Sequence, residues 1–321
     1  MFADLRATAV YAAAKRIHSH LVRTPLRRSA ALSAIAGGDV FLKLETEQVT
    51  GSFKPRGAFN AIAALGDETR RRGVVASSAG NHGLGVAFAA KHFGVPATVF
   101  VPRTAPDVKK RGIAALGATV DDSQPDYDAA MTAAIAHAAE RGKTFVNPCL
   151  GDDLLAGQGT VALEILEELP ELASVVLPVG GGGLLGGTAM LLRRVAPHVS
   201  IIGAQSEETA AMSRSLAAGR VVEIPSVPTL ADGLAGQIDD AALDIGRHGL
   251  DEIVTLSEER IGATIAWLAR TEELVVEGAG SVAVGAVLER LSSRLTTPAA
   301  IVVSGRNIDP EKHARALSAE R

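Results

Sequence analysis

Residues 174–187 read SVVLPVGGGGLLGG. Ser174–Leu177 is a short β-branched run, four consecutive glycines stand at Gly180, Gly181, Gly182 and Gly183, and a helical segment begins near Gly186. Backbone amides without side chains at the start of a helix form a cradle for an anion, reinforced by the helix dipole, and phosphate is the usual occupant. Alone, the stretch also fits a flexible turn. A dinucleotide site fits less well, because the next strand, Ser200–Ala204, ends at Gln205 and not at an acidic residue. The Lys-Ser/Thr pair that completes a nucleotide P-loop is missing too. What remains is a phosphorylated cofactor held by backbone.

Outward from that stretch the strand–turn–helix pattern recurs. Val40–Leu44, Gly73–Ala76, Ala97–Val101 and Ala118–Val120 read as strands, with helices at Gly83–Phe93 and Ala105–Leu116. A second series comprises Ser174–Leu177, Ser200–Ala204 and Ala299–Val303, with helices at Gly186–Ala196 and Arg260–Thr271. The amphipathic segment Ala7–His18 needs the larger unit to pack on. The expectation is two open twisted α/β domains: residues 1–45 and 148–321 form a large cofactor-binding domain, and 46–147 form a small inserted one. The Pro-containing stretch 224–228 is short enough to be an ordinary loop.

Composition agrees. The 321 residues are 47% hydrophobic, more than one small domain needs, and 33 glycines with only 3% aromatics suit parallel α/β layers. A net charge of -4 without a basic stripe argues against nucleic acid as a partner. No apolar run approaches the roughly 20 residues of a membrane span. The single cysteine, Cys149, forms no internal disulfide, and the N-terminus lacks an apolar core followed by a cleavage site. A soluble, cytoplasmic protein acting on small molecules is expected.

Three further segments carry chemistry. Lys54, in TGSFKPRGA (50–58), precedes a helix that Pro55 can open. The helix dipole and Arg56 are both expected to favour its neutral amine, the form that attacks a carbonyl. Phe53 beside it is suited either to cover an aromatic cofactor or to the core. SSAGNHG (77–83) offers a second nest of amides, suited to a carboxylate, with Asn81 able to donate and accept. His82 has no visible orienting partner and reads first as structural. At the end of the last strand, VSGRN (303–307) offers the Ser304 hydroxyl to a ligand lying across the strand ends, although a turn serine reads the same way.

Together, GSFKPRGA, SSAGNHG, GGGGL and SGRN resemble the fold-type II pyridoxal-phosphate enzymes, whose fold is tryptophan-synthase-β-like with the cofactor in the cleft between domains. The nearest resemblance is to threonine and serine dehydratases and to serine racemase. It runs in order from about Thr24 to Asn307. It implies that Lys54 carries pyridoxal 5'-phosphate as a Schiff base, that Phe53 covers a ring face, and that Asn81 bonds the phenolic oxygen. It also implies that Gly180–Gly183 with Leu184 hold the phosphate and that Ser304 meets the pyridine nitrogen. Glu277 and Gly233, in VVEGAG and LADG, match family positions near the cofactor. Ser78, Ala79, Gly80, Asn81 and His82 match the substrate-carboxylate loop. The implied reaction is β-elimination of water from a small L-β-hydroxy amino acid, giving a 2-oxo acid and ammonia, with a homodimer as the family expectation.

Three departures narrow this. Racemases of the family carry a serine where this chain has Ala79, so poor racemisation is expected. The family's cation site maps to Gln205, Thr209 and Ala211, which supply no carboxylate, so no metal is expected there. Arg306 replaces a usual glycine, either meeting a second carboxylate or a larger substrate, or turning to solvent. Arg306 and the Asn147-Pro148-Cys149 segment keep open a dehydratase for hydroxyectoine, phenylserine or 3-hydroxyaspartate. With the chain ending at Arg321, no regulatory domain and no isoleucine control are expected. From another class, a non-catalytic phosphate-ligand-binding protein is the rival, and retention of Lys54 argues against it.

Overall fold

In the computed structural model, residues 6–318 are described. Ten strands run in chain order as β1 (Leu26–Arg28), β2 (Val40–Leu44), β3 (Val74–Ser77), β4 (Ala97–Pro102), β5 (Thr119–Gln124), β6 (Thr144–Phe145), β7 (Ser174–Pro178), β8 (Ser200–Ser206), β9 (Glu252–Leu256) and β10 (Ala299–Val303). They form a six-stranded sheet ordered β1-β2-β10-β7-β8-β9 and a four-stranded sheet ordered β5-β4-β3-β6. Every pairing is parallel except β1 with β2. The central strands β3, β7 and β10 are buried throughout, which is why they read as unbroken apolar runs. The edges are blunted by charge: β1 is Leu-Arg-Arg, and β5 carries Asp121 and Asp122.

Helices cover both sheets, and one apolar cluster joins them. It takes Phe59 and Val86 from helices Lys54–Ala64 and Asn81–Phe93, Leu155 and Leu185 from Asp152–Glu168 and Gly183–Val195, and strand residues from both sheets, including Val99 and Leu177. A second cluster fills the other face of the six-stranded sheet, where Leu42 and Ile301 meet Val282 of helix Gly278–Leu288. Each such side chain, fully buried, contributes about 1.5–3 kcal/mol. Helix Ala7–Ile17 turns Val10, Ala13 and Ile17 inward and packs on Asp152–Glu168.

The seven strands read from sequence are all present, with ends shifted by one or two residues and β5 continuing to Gln124. Strands β1, β6 and β9 and several helices, among them Tyr127–Glu140, Asp152–Glu168 and Gly278–Leu288, were not legible. The parallel topology explains why the motifs meet. The Lys54 loop follows β2, the Ser78–His82 loop follows β3, the glycines follow β7 and Ser304 follows β10, so all four lie beyond the carboxyl ends of parallel strands. Leu44 pairs with Val303, so the chain leaves β2 and β10 side by side.

Candidate active site

Lys54 opens its helix, with Pro55 in the first turn. Two backbone bonds fix the approach: Phe53 N donates to the Ser304 carbonyl at 3.1 Å, and Arg306 N donates to the Gly51 carbonyl at 2.9 Å. The β2-side loop is thereby stitched to the chain leaving β10, with a bridge at Ser52 and Gly305. The half-buried Lys54 amine donates to the Pro148 carbonyl at 2.9 Å and stands 5.2 Å from the centre of the Phe53 ring. Asn147 shapes this turn, its Oδ1 accepting from the amides of Cys149 and Leu150 at 2.8 and 2.9 Å.

The glycine loop faces the same turn. A side chain at Gly181 would place its Cβ 2.5 Å from Cys149 Sγ, and one at Gly183 would lie 3.1 Å from Cys149 Cα. Gly182, at φ +90°, precedes a helix that has no side-chain cap. Among the described residues, no turn, loop or cap hydrogen bond takes an amide from Gly180 to Leu184. Cβ-free, unpartnered amides at a helix start are what a phosphate requires. Leu184 is buried in the first turn, and Gly180 packs against Gly233 and Leu234.

Opposite the loop, Ser304 is buried and its hydroxyl bonds no described residue. Ser52 Oγ and Ser77 Oγ are buried without partners, as is His82 Nδ1. Buried polar atoms are normally satisfied, so these three are open to a ligand or to solvent. The cradle, the amine and the free hydroxyl together fit pyridoxal phosphate: Gly180–Gly183 and Leu184 for its phosphate, Lys54 for its aldehyde, Ser304 for its ring nitrogen and Phe53 beside the ring.

Glu277 stands at the N-cap position of helix Gly278–Leu288 without a side-chain cap bond, and its Oε1 accepts from Asn81 Nδ2 at 2.7 Å. Burial, then the charge of Asp232, pushes its carboxyl up to about 7 against the pull of Asn81, Lys109 and Lys54. Gly305 gives Glu277 its room: a Cβ there would lie 2.3 Å from Glu277 Oε1, and the carboxyl would have to shift. Asp232, beside Gly233, is 3.5 Å from Lys109 and 3.8 Å from Lys312.

In the Ser78–His82 loop, the Gly80 amide is already spent on Ser78 Oγ at 3.1 Å. Asn81 and His82 begin a helix without a side-chain cap, leaving first-turn amides for a carboxylate. Ala79 is half-buried, its methyl against the core. The His82 imidazole turns inward, Nε2 lying 2.9 Å from the Val146 carbonyl, and burial followed by the Lys54 charge pushes its pKa down to about 3.

One expectation needs correcting. Arg56 makes no contact with Lys54 and its charge is met elsewhere: it is buried and bonds Glu45 at 2.8 Å and Glu164 at 2.7 and 2.8 Å, with Thr160 and Thr24 beyond. Lys43 completes the cluster, 2.7 Å from Glu164. Gln205, at the position matched to the family's cation site, is buried and bridges the Val179 carbonyl and the Ser213 amide, both at 2.9 Å. Thr209 Oγ1 is buried without a partner, and Ala211 opens a helix. Sequence reasoning missed the Pro148 carbonyl and the Asn307 side chain. The Asn-Pro pair at 147–148 was a turn signal that pointed to the first.

Comparison with known proteins agrees with this geometry. The model of the pyridoxal-phosphate dependent enzyme family matches residues 17–305, and the chain belongs to that family. It is 45% identical over 288 residues to an L-threonine ammonia-lyase of Thermotoga maritima, covering 89% of this chain and 72% of that one. Among solved structures it resembles maize serine racemase, with a TM-score of 0.90 and 30% identity, covering 98% of this chain and 97% of that one. A processed threonine deaminase isoform 2 from Solanum lycopersicum has a TM-score of 0.91 at 30% identity, covering 98% and 88%. Among the described residues, no helix is long and apolar enough to cross a membrane.

Proposed function

We propose that this enzyme eliminates water from L-threonine or L-serine, releasing a 2-oxo acid and ammonia. One observation carries the reading: consecutive residues Pro148 and Cys149 touch the Lys54 amine and the glycine cradle respectively, so nucleophile and phosphate site share one wall. The relatives named as threonine ammonia-lyase and threonine deaminase supply the substrate class.

When bound, pyridoxal phosphate supplies the electron sink that lets the α-proton leave. Lys54 Nζ would hold the cofactor and, as a free amine, would take the α-proton. The Pro148 carbonyl keeps that nitrogen at the cleft wall. The amides of Gly180–Gly183 and Leu184 would hold the phosphate, Ser304 would offer the ring nitrogen a hydroxyl rather than a charge, and the first-turn amides at Asn81 and His82 would orient the substrate carboxylate. Ala79 has no proton to give to the opposite face, so elimination is favoured over racemisation. The same reading takes the enzyme as a cytoplasmic homodimer in which 1–45 and 148–321 carry the cofactor and 46–147 is the insert.

A second reading rests on Arg306. It is exposed, bonds no described carboxylate, and lies along Gly51, three residues before Lys54. A guanidinium there suits a substrate with a second carboxylate, such as 3-hydroxyaspartate. The test is a panel of L-threonine, L-serine, phenylserine, 3-hydroxyaspartate and hydroxyectoine, scored for keto acid and ammonia. Highest kcat/KM on threonine or serine supports the first reading, highest kcat/KM on 3-hydroxyaspartate establishes the second, and no release from any of them rejects both.

A further inference from the structure

Two side-chain amides cross the cleft in a chain whose polarity is fixed at one end. Asn307 Nδ2 donates to the Thr50 carbonyl at 2.8 Å and to Asn81 Oδ1 at 2.6 Å, and Asn81 Nδ2 donates to Glu277 Oε1 at 2.7 Å. A backbone carbonyl only accepts, so the Asn307 atom that faces Thr50 is nitrogen. The same nitrogen faces Asn81, which must therefore offer oxygen on that side and nitrogen on the other. An asparagine's orientation follows from its hydrogen-bond network, and here the network starts from a peptide carbonyl four residues before Lys54. Gly51 makes the room: it sits at φ +76°, and a Cβ there would lie 2.8 Å from Asn307 Oδ1.

We propose that Asn307 is a positioning residue for the cofactor, setting the polarity of Asn81 so that an N–H is left for an acceptor in the cleft. One Asn81 N–H is spent on Glu277, and among the described residues nothing takes the other. The phenolic oxygen of pyridoxal phosphate is such an acceptor. If the amide turned over, its nitrogen would face the Asn307 nitrogen and its oxygen would face the phenolic oxygen, exchanging an attraction for a repulsion at each. The inference rests on Asn81 meeting the cofactor, and the experiment separates the two ideas.

The test compares Asn307→Ala, Asn307→Asp, Asn81→Ala and the double variant Asn307→Ala/Asn81→Ala by three readouts: the visible absorption band of bound pyridoxal phosphate, its dissociation constant and the melting temperature. Aspartate keeps the size of asparagine but donates nothing. Both Asn307 variants are expected to move the band in the direction of Asn81→Ala and to weaken cofactor binding by about tenfold, the scale of one hydrogen bond to an ionised group. The double variant should add nothing to Asn81→Ala. A wild-type band and affinity in Asn307→Asp, additive effects in the double variant, or a lowered melting temperature without a band shift in the Asn307 variants would each overturn the proposal. If Asn81→Ala itself leaves the band unmoved, the assignment of Asn81 fails, and the role of Asn307 with it. Should Asn307→Ala not fold, Asn307→Asp and Asn81→Ala decide by the same readouts.

Discussion

Lys54 and Arg56 stand two residues apart on one helix and live in opposite surroundings. Among the described residues, the Lys54 amine has a single hydrogen-bond partner, a carbonyl, and shares the cleft with glycine-loop amides and serine hydroxyls that have none. Arg56 is locked by two carboxylates and two hydroxyls, with Lys43 sharing Glu164. Burial works against the Glu164 charge, but Arg56 and Lys43 hold its carboxyl below the usual range. One side of the helix satisfies every charge internally, and the other keeps its hydrogen-bonding capacity for something that arrives. The first arrangement fixes where the helix begins, and the second uses that fixed start.

The contrast is broken most sharply by exchanging the two losses. Lys54→Ala should lower turnover by more than about 10⁴-fold, since it removes nucleophile and base together. Its melting temperature should stay close to wild type, and cofactor should still bind reversibly through the glycine cradle. Covalent attachment to any other lysine, found by peptide mapping after borohydride reduction, would reject the assignment. Arg56→Ala should do the reverse, costing about 3–5 kcal/mol in denaturant unfolding, because the buried Glu45 loses its guanidinium partner and Glu164 keeps only Lys43. A loss under 1 kcal/mol would mean that the cluster relaxes at little cost.

Glu277 stands between the two cases, buried like Arg56 but on the cleft side. Its carboxyl is raised from an ordinary 4.5 to about 7, so the fold favours the protonated form. The stabilisation is therefore complete below about pH 4.5 and is lost as pH rises through 7. Between pH 5 and 8 the wild-type apoenzyme should lose about 2.5 kcal/mol that Glu277→Gln does not, by the linkage of pKa to stability. Parallel pH curves for the two proteins would refute the shift.

The smallest expected change is at Ala79. Ala79→Ser puts a hydroxyl where racemases of the family carry one and should raise racemisation relative to elimination by up to about 10²-fold, the lower range for a positioned acid. Chiral chromatography beside a keto-acid assay reads both branches. Substantial D-product from the unmodified enzyme would show that a donor other than residue 79 serves that face.

The four motifs were legible because each is local: a glycine run, a lysine before a proline, an amide nest and a hydroxyl, all at strand ends. Arg56 was misjudged because neighbours in sequence diverge on a helix, where two residues turn about 200°. Helix Gly278–Leu288 left no signal because ten of its eleven residues are buried, so no polar face marks a period. The partnership of Asn81 with Asn307 spans 226 positions, and only the fold brings its members together.

The Pro148–Cys149 wall also has a metric meaning. Consecutive residues are about 3.8 Å apart from Cα to Cα, so one peptide unit separates the residue that holds the amine from the residue that closes on the cradle. The cleft thus gauges the length of its occupant. Free phosphate can satisfy the amides and leave the lysine resting on its carbonyl, whereas only a molecule carrying its aldehyde at the matching distance from its phosphate engages both ends together.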